Sequence, residues 1–493
     1  FFFKQKTAYE IRLSLVGSED VYKRQTLILG TNSIKGAGSF QVDNSVRMNR
    51  GDNSSFTRSV GSNGDFNNAT LSMWVKKCSN GIDTNRLWLE YETGSNYEEV
   101  RFRDDDTLRI YSESGGGTYF EIITNRKFLD VSAWYHICVL YDYTQATASN
   151  RIKLYVNGVQ ETSFSTYSVP AQNGNSSINK SGNTIYVGAY PSGSNYFDGY
   201  LAEVLWLDGT TASITDLGEF DEDSPQIWKP IDVSDLTAGT NGWYMDFKSS
   251  GSLGNDVFGS NNLTANNLAS TDQSIDTCTN NFATLNPLAW TTGSGLAFSD
   301  GNLKLVNSDN GWRPAISNIA VTKGKWVAEV KVVAVGSASK YGIIDVLQYN
   351  DESNLFYNLA TGTRAWTYRA FQGKVYNNTS DAGGSSYGNS FTTNDIIGIY
   401  LDCDNNKIYW SKNGVVQNSG TGISITDGYD YAFALNLYNS TAEINFGSPS
   451  YSITSGNTDG EFGNFEYSTT ITGDGASKVF KALCTKNLAE YGG

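Results

Sequence analysis

Apolar and polar residues alternate in short runs along most of this chain, the period of a β-strand with one buried face. From Arg151 to Val156, Ile152, Leu154 and Val156 share one face, Lys153 and Tyr155 take the other, and the run then meets Asn157-Gly158. That predicts a strand entering a type I′ hairpin turn, because both central positions of such a turn need positive φ and Asn-Gly tolerates it best. The unit recurs in KIYWSKNGVV, Lys407 to Val416, where Ile408 and Trp410 share a face ahead of Asn413-Gly414. Two hairpins of one design, 256 positions apart (413 minus 157), predict two sandwiches of similar architecture.

Supporting strands are read around each hairpin. Thr70–Lys76, Tyr119–Thr124, Trp134–Tyr141 and Thr184–Gly188 serve the first, and Trp326–Val333, Ile396–Asp402 and Tyr431–Leu437 the second, each bounded by Asn, Gly and Ser clusters. Helical periodicity is absent from these stretches. Thr237–Ala289 is poor in apolar runs and rich in Asn, Ser and Thr, so the join between separate folding units is placed there, with Trp243–Phe247 as a last strand returning to the first sandwich. The expected class is all-β, two consecutive antiparallel sandwiches: 36–250, a linker at 251–289, 290–448, and a strand or connector at 449–493 leading to a missing next domain.

Composition narrows the picture. The segment FFFKQKTAYEIRLSLVGSEDVYKRQ, residues 1–25, resembles the translation of a sequencing adapter and is excluded from fold reasoning. It holds five basic residues against three acidic, so removing its +2 leaves the rest of a −15 chain near −17. The lack of an initiator Met and the Tyr491-Gly492-Gly493 ending suggest a gene fragment. An acidic chain without Lys/Arg clusters repels phosphate backbones, which argues against nucleic acid as a partner. The longest apolar runs, such as Ile137–Tyr141 and Tyr431–Leu437, fall far short of the roughly 20 residues that span a bilayer, so no membrane insertion is expected. The cysteines, 78, 138, 278, 403 and 484, are far apart with no CxxC pair, which predicts free thiols rather than disulfides or a zinc site.

AWYHICVLYDYTQATASNRIKLYVNGVQ (Ala133–Gln160), followed by NYFDGYLAEVLWLDG (Asn195–Gly209), resembles a laminin-G or concanavalin A-like module, in the version found in tail and structural proteins of marine phages. GKWVAEVKV (Gly324–Val332), YGNSFTTNDIIGIYLDCDNNKIYWSKNG (Tyr387–Gly414) and YAFALNLYNSTAEINFG (Tyr431–Gly447) are similar, in that order, to SPRY domains. VFKALCTKNLAEY (Val479–Tyr491) resembles the segment leading from such a domain into the next in phage proteins. The resemblance implies two jelly-roll-like folds that recognise ligands or proteins through loops, although fold does not fix function. Laminin-G relatives sometimes hold calcium, but this sequence lacks a clear ligand set for it, so no cofactor is expected.

Catalytic apparatus is sparse. His136, the single histidine, shares a strand face with Trp134, Cys138 and Leu140 and is read as packing rather than as a base. Glu219-Phe220-Asp221-Glu222-Asp223-Ser224 approaches the ExDxxE string of some concanavalin A-like hydrolases but ends in Ser, and is read as a solvated acidic turn. Asp104-Asp105-Asp106 and Asp402-Cys403-Asp404-Asn405-Asn406 are read as polar hairpin turns rather than calcium loops.

The candidate ligand-binding residues are aromatic and amide side chains of an apparent loop: Trp366, Tyr368, Arg369, Tyr376, Asn377 and Tyr387, with Arg364 and Asn378 beside them. Flat rings next to amides suit sugars or peptides. The functional expectation is a non-enzymatic recognition or structural protein of a phage virion, of tail-fibre or decoration type. It would be soluble, assembled in the host cytoplasm and homo-oligomeric in the particle, binding cell-surface carbohydrate or protein and other virion proteins. The alternatives are a concanavalin A-like polysaccharide hydrolase and a bacterial extracellular adhesin.

Overall fold

The computed structural model describes residues 40–82, 85–174, 177–191, 193, 195–289, 295–349, 364–377 and 383–492. The segment 1–25 lies outside them. The first sandwich uses β1 (Ser45–Met48), β2 (Ser55–Ser59), β3 (Asn68–Lys77), β4 (Asn85–Thr93), β5 (Asn96–Phe102), β6 (Thr107–Ser114) and β7 (Gly117–Lys127). It continues with β8 (Trp134–Asp142), β9 (Ile152–Val156), β10 (Val159–Gln160), β11 (Phe164–Ser168), β12 (Thr184–Val187) and β13 (Gly199–Asp208).

One sheet runs β10-β9-β8-β3-β13-β1 and the other β11-β7-β6-β5-β4-β12-β2. Their inner faces close on one core, with Met73, Val75, Val139 and Leu201 from the first and Trp88, Val100, Ile110 and Ile185 from the second. Trp88 and Trp206 stack across the gap, ring centroids 4.6 Å apart.

The stretch 251–289 is not a bare linker. Thr264–Asn266 pairs antiparallel with β2, and Gln273–Ser274 with β1, so each sheet gains a strand from it. Trp243–Met245 pairs with β13, the return that its sequence predicted. The added strands are too short for alternation to show, which is why the sequence reads as featureless there.

In the second sandwich, long strands serve both halves. Lys325–Lys331 pairs with Ile396–Asp402, whereas Lys340–Ile344 of the same strand pairs with Ala365–Arg369. Between these stretches the register against Tyr431–Asn445 slips twice, at Val332/Ala334 and Val335/Ala338. Bulges bend a strand, and here they let it pass from one half to the other. Trp326, Val330, Ile399 and Leu401 join Tyr341, Ile343, Trp366 and Tyr368 in one core. Residues 449–493, expected to lead out of this domain, instead close it. Lys481–Ala482 pairs in parallel with Trp326–Val327, α1 (Thr485–Tyr491) follows, and Phe465, Phe480 and Cys484 pack with Phe282 and Val327.

Both Asn-Gly turns take the expected form, with φ of 49° and 76° at Asn157-Gly158 and 47° and 78° at Asn413-Gly414. Each Asn also latches a neighbouring strand. The Asn157 amide donates to the His136 carbonyl (3.0 Å) and its Oδ1 accepts from His136 N (2.7 Å). Asn413 does the same with Ile396, at 2.8 Å in both directions.

A buried polar joint fastens the two sandwiches. Lys76 Nζ of β3 donates to Asp276 Oδ2 (2.8 Å) and Asn281 Oδ1 (2.7 Å), and Trp134 Nε1 donates to Asp276 Oδ1 (3.1 Å). Asn281 N in turn donates to Thr485 Oγ1 (3.0 Å). Tyr200 OH donates to the Gly301 carbonyl (2.9 Å), and Asn302 Nδ2 to the Cys78 carbonyl (2.8 Å).

Candidate functional site

The six residues picked from the sequence do not form one surface. Trp366 and Tyr368 lie on a strand, Ala365–Arg369, whose alternation turns their rings into the second core, where Tyr387 joins them; the three are 4%, 0% and 5% exposed. Tyr368 and Tyr387 both pack against Trp410, at ring-centroid distances of 6.0 and 5.3 Å. Arg369 points to the opposite face. So does Thr367, which is paired directly with Tyr376. Tyr376 is itself buried, with the Lys340 ammonium 5.1 Å from its ring centroid and its hydroxyl donating to Gln372. Asn377 Nδ2 donates to the Ala365 carbonyl (2.9 Å), and Asn378 lies outside the described residues. These rings pack the fold and are not open to a ligand, because a strand stands where the Gly- and Asn-rich flanks had read as a loop.

His136 is fully engaged. Trp228 Nε1 donates to its Nδ1 (2.9 Å), which fixes the proton on Nε2 facing Ser72 Oγ (2.7 Å), and the Trp74 ring stacks 4.9 Å away. Burial pushes the imidazole down to about 3, so it is neutral at physiological pH. Glu219 and Asp221 flank Lys229 at 3.1 and 3.5 Å. Asp106 pairs with buried Lys77 at 2.7 Å, and Lys325 bridges Asp402 and Asp404. Among the described residues no group of three or more His, Cys, Asp or Glu side chains is arranged to hold a metal ion, and all five cysteines are buried free thiols.

A better site lies on the outer face of the sheet β12-β4-β5-β6-β7. Register sets out its rows. Tyr186, Leu89, Glu99, Tyr111 and Glu121 form one line across five strands; Thr184, Tyr91, Tyr97 and Glu113 form the next. Tyr190, just past β12, sits edge-on to both Tyr91 (5.7 Å) and Tyr97 (6.2 Å), and Tyr97 lies 5.8 Å from Tyr111. Tyr91, Tyr97, Tyr186 and Tyr190 are each half-buried.

Beneath these rings runs a lattice of charge. Glu99 is wholly buried and meets Arg86 at 2.7 Å, Arg101 at 2.9 Å and Arg109 at 3.3 Å, while Arg109 also reaches Glu121 at 2.7 Å. The Arg86 guanidinium lies 4.3 Å over Tyr190, and that of Arg109 3.7 Å over Tyr111. Burial, reinforced by Glu99, raises the Tyr97 hydroxyl well above its ordinary range, so it stays a neutral donor. Rigid rings carrying polar tips, above fixed guanidinium and carboxylate groups, cover apolar faces and bond hydroxyls at the same time. The sequence reading passed over this site, although Tyr97-x-Glu99-x-Arg101 and Arg109-x-Tyr111-x-Glu113 carry its period-two signal on adjacent strands.

Residues 49–212 match the Concanavalin A-like lectin/glucanases superfamily, and residues 344–449 match the SPRY domain. The chain carries a concanavalin A-like domain followed by a SPRY domain. The tyrosine face belongs wholly to the concanavalin A-like domain, and Trp366, Tyr368 and Tyr387 to the SPRY domain. The SPRY domain of human HERC1 is 20% identical with a TM-score of 0.25, over 32% of this chain and 96% of that one. A heptameric SAP-like pentraxin from Limulus polyphemus is 12% identical with a TM-score of 0.27, over 36% of this chain and 81% of that one. A candidate carbohydrate binding protein from Bacteroides ovatus is 17% identical with a TM-score of 0.32, over 46% of this chain and 61% of that one.

Proposed function

We propose that this is a non-catalytic recognition protein whose concanavalin A-like domain binds cell-surface carbohydrate on the outer face of β12-β4-β5-β6-β7. The observation that carries the reading is the set of half-buried tyrosines, 91, 97, 186 and 190, held over the Arg86–Glu99–Arg109 lattice. Sugar rings stack on such faces, and their hydroxyls find donors and acceptors already in place. Glu99 and Glu121 are both engaged by guanidinium groups, and an acid catalyst needs a carboxyl free to give its proton. A virion setting, as tail fibre or decoration protein, rests on the resemblance of Ala133–Gln160 and Asn195–Gly209 to phage modules. Repeated copies in a particle would raise modest single-site affinity through avidity.

A glycan array and isothermal titration on wild type and a Tyr97→Ala, Tyr190→Ala double variant test the reading. The expected result is binding that weakens by about tenfold or more, the scale of one to two lost aromatic contacts. Undiminished binding would move the site elsewhere. Polysaccharide cleavage that disappears in Glu99→Gln would overturn the non-catalytic reading.

A further inference from the structure

Lys76 meets a carboxylate and a carboxamide at once, inside the protein. It lies in β3 between Trp134 of β8 and Tyr200 of β13, its direct cross-strand partners, and its ammonium sits 5.4 Å from the Tyr200 ring centroid. Nζ donates to Asp276 Oδ2 at 2.8 Å and to Asn281 Oδ1 at 2.7 Å, and the three residues are 1%, 1% and 5% exposed. Trp134 and Tyr200 belong to one apolar cluster with Trp74 and Cys78, which keeps water from the group. An ion pair this deep contributes little stability by itself, because desolvation offsets its attraction.

The carboxamide and the carboxylate are each held in one orientation. Asn281 Nδ2 donates to the Ser132 carbonyl (2.7 Å), which can only accept, so the amide is turned with Oδ1 towards Lys76. Asp276 Oδ1 accepts from Trp134 Nε1 (3.1 Å), which leaves Oδ2 for Lys76. The Asp276 backbone is pinned as well, its amide donating to Ser274 Oγ (3.1 Å) and its carbonyl accepting from Ser45 Oγ (2.6 Å). Between the two residues the chain closes on itself, Thr277 and Asn280 exchanging amide–carbonyl bonds at 3.1 Å. An amine, a carboxamide and a carboxylate fixed within hydrogen-bond reach and away from water are the components of acyl transfer from an amide to an amine.

We propose that the folded chain cross-links itself, Lys76 Nζ forming an amide bond to Asn281 Cγ with the departure of ammonia. Lys76 gives one proton to Asp276, and the free amine adds to Cγ. Asp276 hands that proton to Nδ2, and the Cγ–Nδ2 bond breaks as ammonia leaves. The attacking nitrogen then gives its second proton to the carboxylate, from which it departs with ammonia as ammonium, and keeps the third as the new amide N–H. The exchange needs no oxidant and no activated donor. It joins positions 205 apart in the sequence and fixes β3 covalently to the segment that enters the second sandwich.

The test is the intact mass of the purified full chain, measured after denaturation, together with tryptic mapping. The wild type is expected about 17 Da below its sequence mass, the mass of one ammonia, and should yield a branched peptide joining Lys76 to Asn281 with no cleavage after Lys76. Lys76→Met, and Asp276→Ala shown folded by near-UV circular dichroism, should each keep their full sequence mass. A wild type at full sequence mass would overturn the proposal whatever the variants do. So would the same deficit in Lys76→Met, which would place the ammonia loss at another asparagine, or a deficit of about 18 Da with Lys76 joined to Asp276. A branched peptide formed at wild-type yield in Asp276→Ala would overturn the proton-carrying role of that residue.

Discussion

At Gly414 the turn and the packing make the same demand. Its φ of 78° favours glycine, and a β-carbon there would lie 2.6 Å from the Tyr467 ring. Gly158 repeats the arrangement in the first sandwich, with the Trp228 ring 2.1 Å from the same position. Gly414→Val is therefore expected to destabilise by on the order of 2 kcal/mol or more in denaturant unfolding, through backbone and overpacking together. Glu203 is a different kind of residue. It sits in a bulge of β13 with φ of 48°, buried, its carboxyl hydrogen-bonded by Tyr244, and burial pushes it up to about 8. Between the unfolded value of 4.5 and about 8 the folded chain holds a proton that the unfolded chain releases. The stability this contributes is present below pH 4.5 and is lost as the pH rises through 8. Thermal midpoints of Glu203→Gln should thus fall less than those of wild type between pH 5 and 9. A parallel fall would mean that Glu203 is ionised in the native state.

The strands show what the sequence could and could not disclose. Asn-Gly after an alternating run disclosed both hairpins to the residue, because a type I′ turn needs two positive φ values and few dipeptides supply them. The strand Ala365–Arg369 has the same alternation, but its Gly- and Asn-rich flanks carry the signature of a loop, and alternation alone does not say that its rings face inward. β4 to β6 hid the better site for the opposite reason. Apart from Leu89 their outer faces are mostly Tyr, Glu and Arg, and which strands lie side by side cannot be read from one sequence. The buried lattice also makes that face structural. Glu99→Ala would leave three guanidinium groups facing a vacated position and is expected to lower stability by about 3 kcal/mol or more. Glu99→Gln, which keeps an acceptor, should lose less. Urea midpoints for the pair check the order, and an equal loss would show that the carboxylate charge alone, not an acceptor of the same shape, holds these strands.

Taken whole, the molecule is less divisible than its two sandwiches imply. A break near 250–290 looked natural in a stretch of Asn, Ser and Thr, yet Phe282, Ala283 and Leu285 pack into the second domain, and Asn281 bonds Thr485. A fragment starting at residue 287 is expected to unfold at lower temperature than one starting at 277, by differential scanning calorimetry. Equal midpoints would show that these residues add nothing to the second core. In the intact chain the buried bonds of Lys76, Asp276 and Asn281 tie the first domain to the segment that packs into the second, so the tyrosine face stands on one side of a pinned joint and the second sandwich on the other. A partner that touched both sandwiches would meet a caliper rather than two hands on a string. At the matching separation the second contact would form with almost no search, and at any other separation it would not form at all.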